Sequence, residues 1–262
     1  MGKRIPNTTK EYIVGADLPE ATDTYTVISH GFVINHALNA LAAKGFEVKQ
    51  ELYRCNTGAK IAQGTYRLNY GADPEMGMMF AWSNSYDKSK RFRCAIGAYV
   101  YSSGSYLISG SMGSWGRIHK GTADLDTLRT IDEQVHTADQ YYNQLVKDKE
   151  RMKLISVPVQ QRAELIGRLY LEHEVINTEQ LSIIKAEFKN PSYDYGTPKD
   201  NLWSMYNHII LALQKAHPST WMDQQRIVHW FITNEFGIAE DVIVEDVNQL
   251  NLLTALEKQV PA

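Results

Sequence analysis

Residues 78–110 read MMFAWSNSYDKSKRFRCAIGAYVYSSGSYLISG, and this stretch decides the fold of the N-terminal half. Runs rich in aromatic and β-branched residues alternate here with polar loops, which is typical of a hairpin or meander. The predicted strands are 78–82, 92–101 and 105–109. Because side chains alternate along a strand, we expect Arg91 and Arg93 on one face of the sheet. The apolar Phe92 and Ile96 then lie on the opposite face.

The rest of the N-terminal half contains a strand, a helix and two further strands. They are predicted at 24–29, 32–43 (with Gly45 as its C-cap), 46–53 and 60–69. Short turns between successive strands predict an antiparallel, twisted sheet with the helix packed on one face. Three states of the other face are compatible with the sequence: solvated, covered by C-terminal helices, or bound to a partner.

From Asp124 onwards, apolar residues recur at helical spacing. The predicted helices are 124–154, 159–174, 179–189, 200–216, 219–236 and 246–258. Trp203, Trp221 and Trp230 have apolar neighbours in these helices, so we predict that they are core residues. The sequence therefore predicts an α+β fold: an antiparallel twisted sheet with one early helix, followed by a helical C-terminal half.

The pattern divides the chain into three regions. We predict an N-terminal arm (1–22), a sheet-rich basic region (23–122) and a helical acidic region (123–262), the last two forming one continuous domain. Residues 1–122 contain 14 Lys and Arg against 9 Asp and Glu, a charge of +5, whereas 13 against 21 give −8 in residues 123–262. This asymmetry indicates an anionic partner for the basic region, or only a fluctuation of surface charge.

Composition is that of a globular protein from a reducing compartment. The 262 residues are 44% hydrophobic and 22% charged, with only Cys55 and Cys94 as thiols, too few for a disulfide framework. No apolar run reaches the ~18 residues that suggest a membrane span. The N-terminus also lacks the apolar core of a signal peptide. We therefore expect a cytoplasmic protein without a membrane partner.

Sequence motifs for catalysis and metal binding are missing. The chain contains no HExxH, CxxC or GxSxG pattern. The Gly-rich run 110–116 lacks the Lys-Ser/Thr ending of a phosphate-binding P-loop and predicts an ordinary loop. We therefore expect a protein that is not an enzyme, with no cofactor and no metal.

Nucleic-acid binding has more support, because cations and aromatic residues occur together in the predicted sheet. Lys88, Lys90, Arg91 and Arg93 put four cations into six residues, the densest basic cluster of the chain. Cations follow a phosphate backbone and exposed aromatic rings stack on bases. The predicted contact residues are Tyr86, Lys88, Lys90, Arg91, Arg93, Arg117, His119 and Lys120. The alternative is that the tyrosines lie in the core and the cations only solubilise a sheet edge.

Four segments resemble, in the same order, the phage/plasmid-like protein family of unknown function (domain of unknown function nine-three-two). They are 25–30 (YTVISH), 84–87 (NSYD), 117–121 (RIHKG) and 201–207 (NLWSMYN). The chain departs from that family at 101–104, where the family has Cys-x-Asn-Gly, and at Lys88, where it has Gly. The resemblance implies a phage or mobile-element origin and carries no settled activity. The architecture is also similar to phage single-strand annealing proteins of the RecT/Redβ type.

Two functions from different classes follow from these observations. The first is a non-enzymatic phage DNA-binding protein that prefers single strands, with single-strand annealing as its role and a ring or filament of identical subunits as its form. The second is a phage-encoded protein whose acidic helical half binds and inhibits a host defence factor. An enzyme with an unrecognised site ranks third.

Overall fold

The computed structural model describes residues 4–20, 27–87, 92–109, 115–117 and 123–238, with the backbone alone at 4–6, 115–117 and 123–126. It has an α+β fold, as predicted. The strands are β1 (Arg4–Thr8), β2 (Val48–Asn56), β3 (Ile61–Leu68), β4 (Met76–Ser85), β5 (Phe92–Val100), β6 (Tyr106–Leu107) and β7 (Trp115–Arg117). The helices are α1 (Lys10–Val14), α2 (His30–Ala43), α3 (Ala123–His136), α4 (Ala138–Lys153), α5 (Val159–Leu171), α6 (Thr178–Lys189), α7 (Leu202–Leu213) and α8 (Trp221–Glu235).

All strands belong to one antiparallel sheet in the order β1-β2-β3-β4-β5-β6, and β7 also pairs with β5. From β2 to β6, consecutive strands are neighbours, which confirms the predicted meander. The prediction of α2 is confirmed as well: Ser29 Oγ accepts from Phe32 N at its start, and Gly45, with φ of 86°, follows its C-cap.

The main core lies between one face of the sheet and the helices. Trp82 on β4 is one of its largest fully buried side chains and donates its indole N–H to Tyr66 OH, 2.9 Å away. A Cβ on Gly64, which faces Trp82 across β3 and β4, would lie 2.2 Å from the indole nitrogen. Gly64 is therefore required by the close approach of this large side chain.

The second face of the sheet is covered by the C-terminal half. Met79 and Ala81 of β4 and Tyr99 of β5 form a smaller buried cluster with Trp221 and Met222 from the start of α8. Of the three states compatible with the sequence, coverage by C-terminal helices is therefore correct for the central strands. Helix α7, whose Trp203 is 1% exposed, belongs to the main core.

Three sequence predictions about elements need correction. Residues 4–14 are not part of an arm: β1 pairs with β2, and Ile13 of α1 is fully buried. The predicted helix 124–154 is two helices, interrupted at Thr137, whose hydroxyl donates to Glu133 O. Within the predicted strand 24–29, residues 27–29 precede α2 as its cap and are not a strand.

The other predictions about the C-terminal half concern its helices and its tryptophans. Helices α5, α7 and α8 lie within the predicted ranges, and α6 begins one residue before its predicted start. Trp203 and Trp221 are buried and Trp230 is partly buried against the main core, so all three are core residues as predicted. The predicted helix 246–258 lies outside the described residues. None of the helices in the described ranges combines the length and apolarity needed to cross a membrane.

Candidate nucleic-acid interface

One end of the sheet carries most of the sequence segments singled out above, and we call it the basic end. In the antiparallel register, Ile61 pairs with Ser85 and Phe92 pairs with Arg117. The β2–β3 connection, the end of β4, the start of β5 and the end of β7 are therefore adjacent. The predicted contact residues Lys88, Lys90 and Arg91 lie outside the described residues, between Asp87 and Phe92. His119 and Lys120 also lie outside them, immediately after Arg117.

Beneath the basic end lies a buried cluster that joins α2 to β4. The His30 ring stacks on Tyr86 with 3.9 Å between ring centroids, and the His30 backbone N–H donates to Tyr86 OH at 2.7 Å. Asn84 Nδ2 donates to His30 Nδ1 at 3.1 Å, so His30 Nε2 carries the proton and donates to Ala59 O at 2.8 Å. Burial lowers the pKa of His30 to about 4, despite the bond to Ala59, and keeps the ring neutral.

Tyr86 is therefore not a base-stacking residue. It is 5% exposed, and burial raises the pKa of its phenol, which the backbone N–H of His30 partly opposes. Its ring is occupied by His30 and its hydroxyl by the start of α2. The prediction is wrong because an aromatic residue at a strand end has the same sequence pattern whether its ring covers a core or faces solvent.

Arg93 is not part of an exposed basic surface either. As predicted, it lies on the face opposite Phe92, but α8 covers that face, and Arg93 forms an ion pair with Asp223 in the first turn of α8. In the same row of the sheet, Ser83 Oγ donates to Pro218 O at 3.1 Å and Arg54 Nη2 to Ala216 O at 2.7 Å. This polar row holds the α7–α8 connection to the sheet.

The basic end also carries Lys60, a cation that no sequence pattern indicates. Lys60, between the β2–β3 turn and β3, is exposed, and its carbonyl accepts from Tyr86 N at 2.7 Å. It lies far from the basic cluster in sequence, and only the pairing of β3 with β4 brings it to the same end. Two aromatic residues, Tyr99 of β5 and Tyr101 just after it, do not belong to the basic end. Tyr99 is buried, with the Arg67 guanidinium 4.7 Å from its ring centroid, and Tyr101 lies at the opposite end of the sheet.

Acidic residues of the N-terminal half pair with lysines at that opposite end. Lys149 Nζ of α4 is 2.6 Å from Asp73 and 3.0 Å from Glu75, and Lys153 also contacts Glu75. Burial opposes the charge of Lys149, but hydrogen bonds to carboxylates outweigh it and raise the pKa of the ammonium above its ordinary value. Asp73 and Glu75 are thus neutralised about 30 Å from the basic end, given ~3.3 Å per residue along β4.

A buried chain of hydrogen bonds has the residue types of a catalytic relay. Tyr206 OH is 2.9 Å from His229 Nδ1, and His229 Nε2 is 3.0 Å from Asp148 Oδ2. All three side chains are buried, and burial raises the pKa of Tyr206 well above its ordinary value. Since a relay needs a nucleophile that reaches a substrate, we assign this chain a structural role between α4, α7 and α8.

Within the described ranges, no three His, Cys, Asp or Glu side chains come together as metal ligands would. Comparison of the chain with family models, with curated proteins and with solved structures gives no match. The family resemblance and the function drawn from it therefore stay predictions.

Proposed function

We propose that the protein is a non-enzymatic phage-type protein that binds single-stranded DNA by its phosphate backbone along the basic end. The supporting observation is convergence: Asp87 and Phe92, which flank the basic cluster, meet Arg117 and the exposed Lys60 at one end of the sheet. Six Lys and Arg belong to this end or to the segments that leave it. They are Lys60, Lys88, Lys90, Arg91, Arg117 and Lys120.

Segments that resemble the phage family contact one another at the basic end. His30 belongs to the first segment, 25–30, and Asn84 and Tyr86 belong to the second, 84–87. Asn84 and His30 are linked by a hydrogen bond. Arg117 of the third pairs with Phe92. The buried cluster fixes the strand ends that present the cations. Three of the four segments therefore meet at the basic end, whereas the fourth, 201–207, lies in α7 and contributes to the main core.

The small number of cations favours repeated subunits. Six screened phosphate contacts hold a strand weakly at physiological salt. Many copies in a ring or filament would place their basic ends along one track and add their contacts. We therefore propose a homo-oligomer that assembles or is stabilised on single-stranded DNA, with strand annealing as its activity.

The test is the salt dependence of binding to a labelled oligonucleotide, measured by fluorescence anisotropy. If all six cations contact phosphates, the slope of log K against log salt for a single strand is about −4, because each contact contributes about −0.7. The double variant Lys60→Gln, Arg91→Gln should reduce the slope to about −3. Lys44→Gln is the matched control: Lys44 is exposed at the other end of α2, about 20 Å away.

Two results would contradict the proposal. Binding that is absent at low salt, or that changes as much in Lys44→Gln as in the double variant, excludes the basic end as the interface. A protein that stays monomeric by light scattering with and without DNA excludes the assembly. If the basic end is excluded as the interface, inhibition of a host factor by the acidic half becomes the leading function.

A further inference from the structure

The α6–α7 connection and the first turns of α7 enclose a cleft of about 540 Å³, the size of small-molecule sites. It is separate from the basic end. Its loop touches the opposite end of the sheet, where Gly196 lies beside Glu75. Its lining includes Tyr193, Tyr195, Thr197, Ser204 and His208.

His208 lies at the inner wall of this cleft with unused hydrogen-bonding groups. It is 1% exposed, and neither ring nitrogen has a hydrogen-bond partner among the described residues. Its neighbours are the rings of Phe188 and Tyr195, with centroids 5.3 and 5.8 Å away. Burial lowers the pKa of His208 to about 4, outweighing the nearby Glu187, so the ring is neutral at pH 7.

The other fully buried histidines show how unusual this is. His30 and His229 each use both ring nitrogens in hydrogen bonds within the protein. A buried polar group without a partner is unfavourable, and such groups are rare in folded proteins. His208 lines the cleft and leaves both ring nitrogens unpaired within the described residues, which makes it the candidate ligand-binding residue of this cleft.

The chemistry of the walls selects the ligand. A neutral imidazole offers one N–H donor and one acceptor, which suits a partner that carries both. Asp194 and Lys199, which also line the cleft, carry opposite charges, so the walls do not select an anion. The nearby carboxylate of Glu187 already accepts from Ser192 N and Ser192 Oγ. The hydroxyls of Thr197 and Ser204, 2.8 Å apart, add polar groups, and the rings of Tyr193 and Tyr195 add flat walls.

We propose that this cleft binds a nucleobase, whose flat ring stacks against the tyrosines and whose edge pairs with His208. Nucleobases carry a donor and an acceptor side by side on a planar edge, and aromatic side chains stack on them irrespective of sequence. The ligand is either a free nucleoside or an unstacked base of a nucleic-acid strand.

The experiment titrates the protein with adenosine, guanosine, cytidine and thymidine, and separately with a short oligothymidylate, monitored by backbone amide NMR shifts. At least one probe should shift the amides of residues 191–199 and 204–208. His208→Phe keeps an aromatic ring and removes both nitrogens, so affinity should fall about tenfold or more. Tyr193→Ala should weaken binding several-fold, whereas Tyr12→Ala, an equally exposed tyrosine on α1, should not.

The outcomes distinguish a free nucleoside from a base of a nucleic-acid strand, and both of these from a cleft that binds neither. Shifts with nucleosides identify a free ligand; shifts with the oligonucleotide alone identify a strand base. Lys60→Gln, Arg91→Gln should leave nucleoside binding intact. The thermal midpoint of ligand-free His208→Phe should rise, because two unpaired nitrogens are removed. No shift with any probe at millimolar concentration, equal affinity in His208→Phe, or a lowered midpoint in that variant would overturn the proposal.

Discussion

The ion pair between Arg93 and Asp223 offers the sharpest test of how the two halves of the chain are joined. The sequence predicts Arg93 as a nucleic-acid contact, whereas the fold assigns it to the junction between β5 and α8. We expect Arg93→Met to destabilise the protein and to leave the affinity of the folded protein for DNA unchanged.

The magnitude follows from the exposure of the pair. The side chains of Arg93 and Asp223 are 22% and 26% exposed. Exposed ion pairs contribute about 0.2–1 kcal/mol, and breaking a fully buried pair costs about 3–5 kcal/mol. Arg226 also interacts with Asp223, although burial lowers the pKa of its guanidinium, so Asp223 keeps a second cation when Arg93 is removed. We expect a coupling free energy of about 1.5 kcal/mol, between the two limits.

A double-mutant cycle measures this coupling. Urea unfolding of the wild type, Arg93→Met, Asp223→Asn and the double variant gives four free energies of unfolding, and their non-additivity is the coupling. A value below about 0.3 kcal/mol, within the additivity expected of independent sites, would refute the ion pair as a link between the halves. Arg93 would then be a free cation, as the sequence predicts.

Three further predictions concern stability. Trp203→Ala should lower the free energy of unfolding by about 3–5 kcal/mol in urea titrations, because it empties a fully buried indole site; normal stability would contradict its core role. Gly64→Ala should cost at least about 1–3 kcal/mol, since the new Cβ overlaps Trp82, while Gly167→Ala, in α5 with open space around its Cβ, serves as the control. Burial lowers the pKa of His30 and His208 to about 4, below the ordinary value near 6.5. Between these values the unfolded chain therefore binds protons that the folded chain does not. The free energy of unfolding is full above about pH 6.5 and falls between about pH 6.5 and 4, by up to ~1.4 kcal/mol per pH unit for each histidine. If the slope of the free energy of unfolding against pH were unchanged in His208→Phe, this assignment would be contradicted.

The fold class was predictable because its signals are local. The meander follows from alternation and turn residues in 78–110, and α2 from apolar spacing followed by Gly45. The break at Thr137 was not predictable, because the apolar spacing of the sequence continues across it. Strand β1 was missed for another reason. Five residues are too few to establish a period, and their pairing is decided by the free edge of β2, distant in sequence.

The candidate site was predictable only in part, because exposure is a property of the whole fold. Residues that alternate in sequence as Arg93 and Phe92 do are correctly assigned to opposite faces, but the pattern does not tell whether a face is covered. Conversely, nothing in the sequence around Lys60 indicates a site. It becomes part of the basic end through the pairing of Ile61 with Ser85, a long-range contact.

The opposite charges of the two halves have a role within the chain that limits how copies can assemble. Arg93 of the basic half pairs with Asp223 of the acidic half, so part of the +5 and −8 asymmetry is used in a contact between the halves. If the remaining cations of the basic end also bound the acidic half of a neighbouring copy, they would not be free for phosphates, and DNA would dissociate the oligomer. An assembly that DNA stabilises therefore needs an interface away from the basic end. The variant Lys60→Gln, Arg91→Gln should then lose DNA affinity and, in the absence of DNA, keep the particle size of the wild type in light scattering.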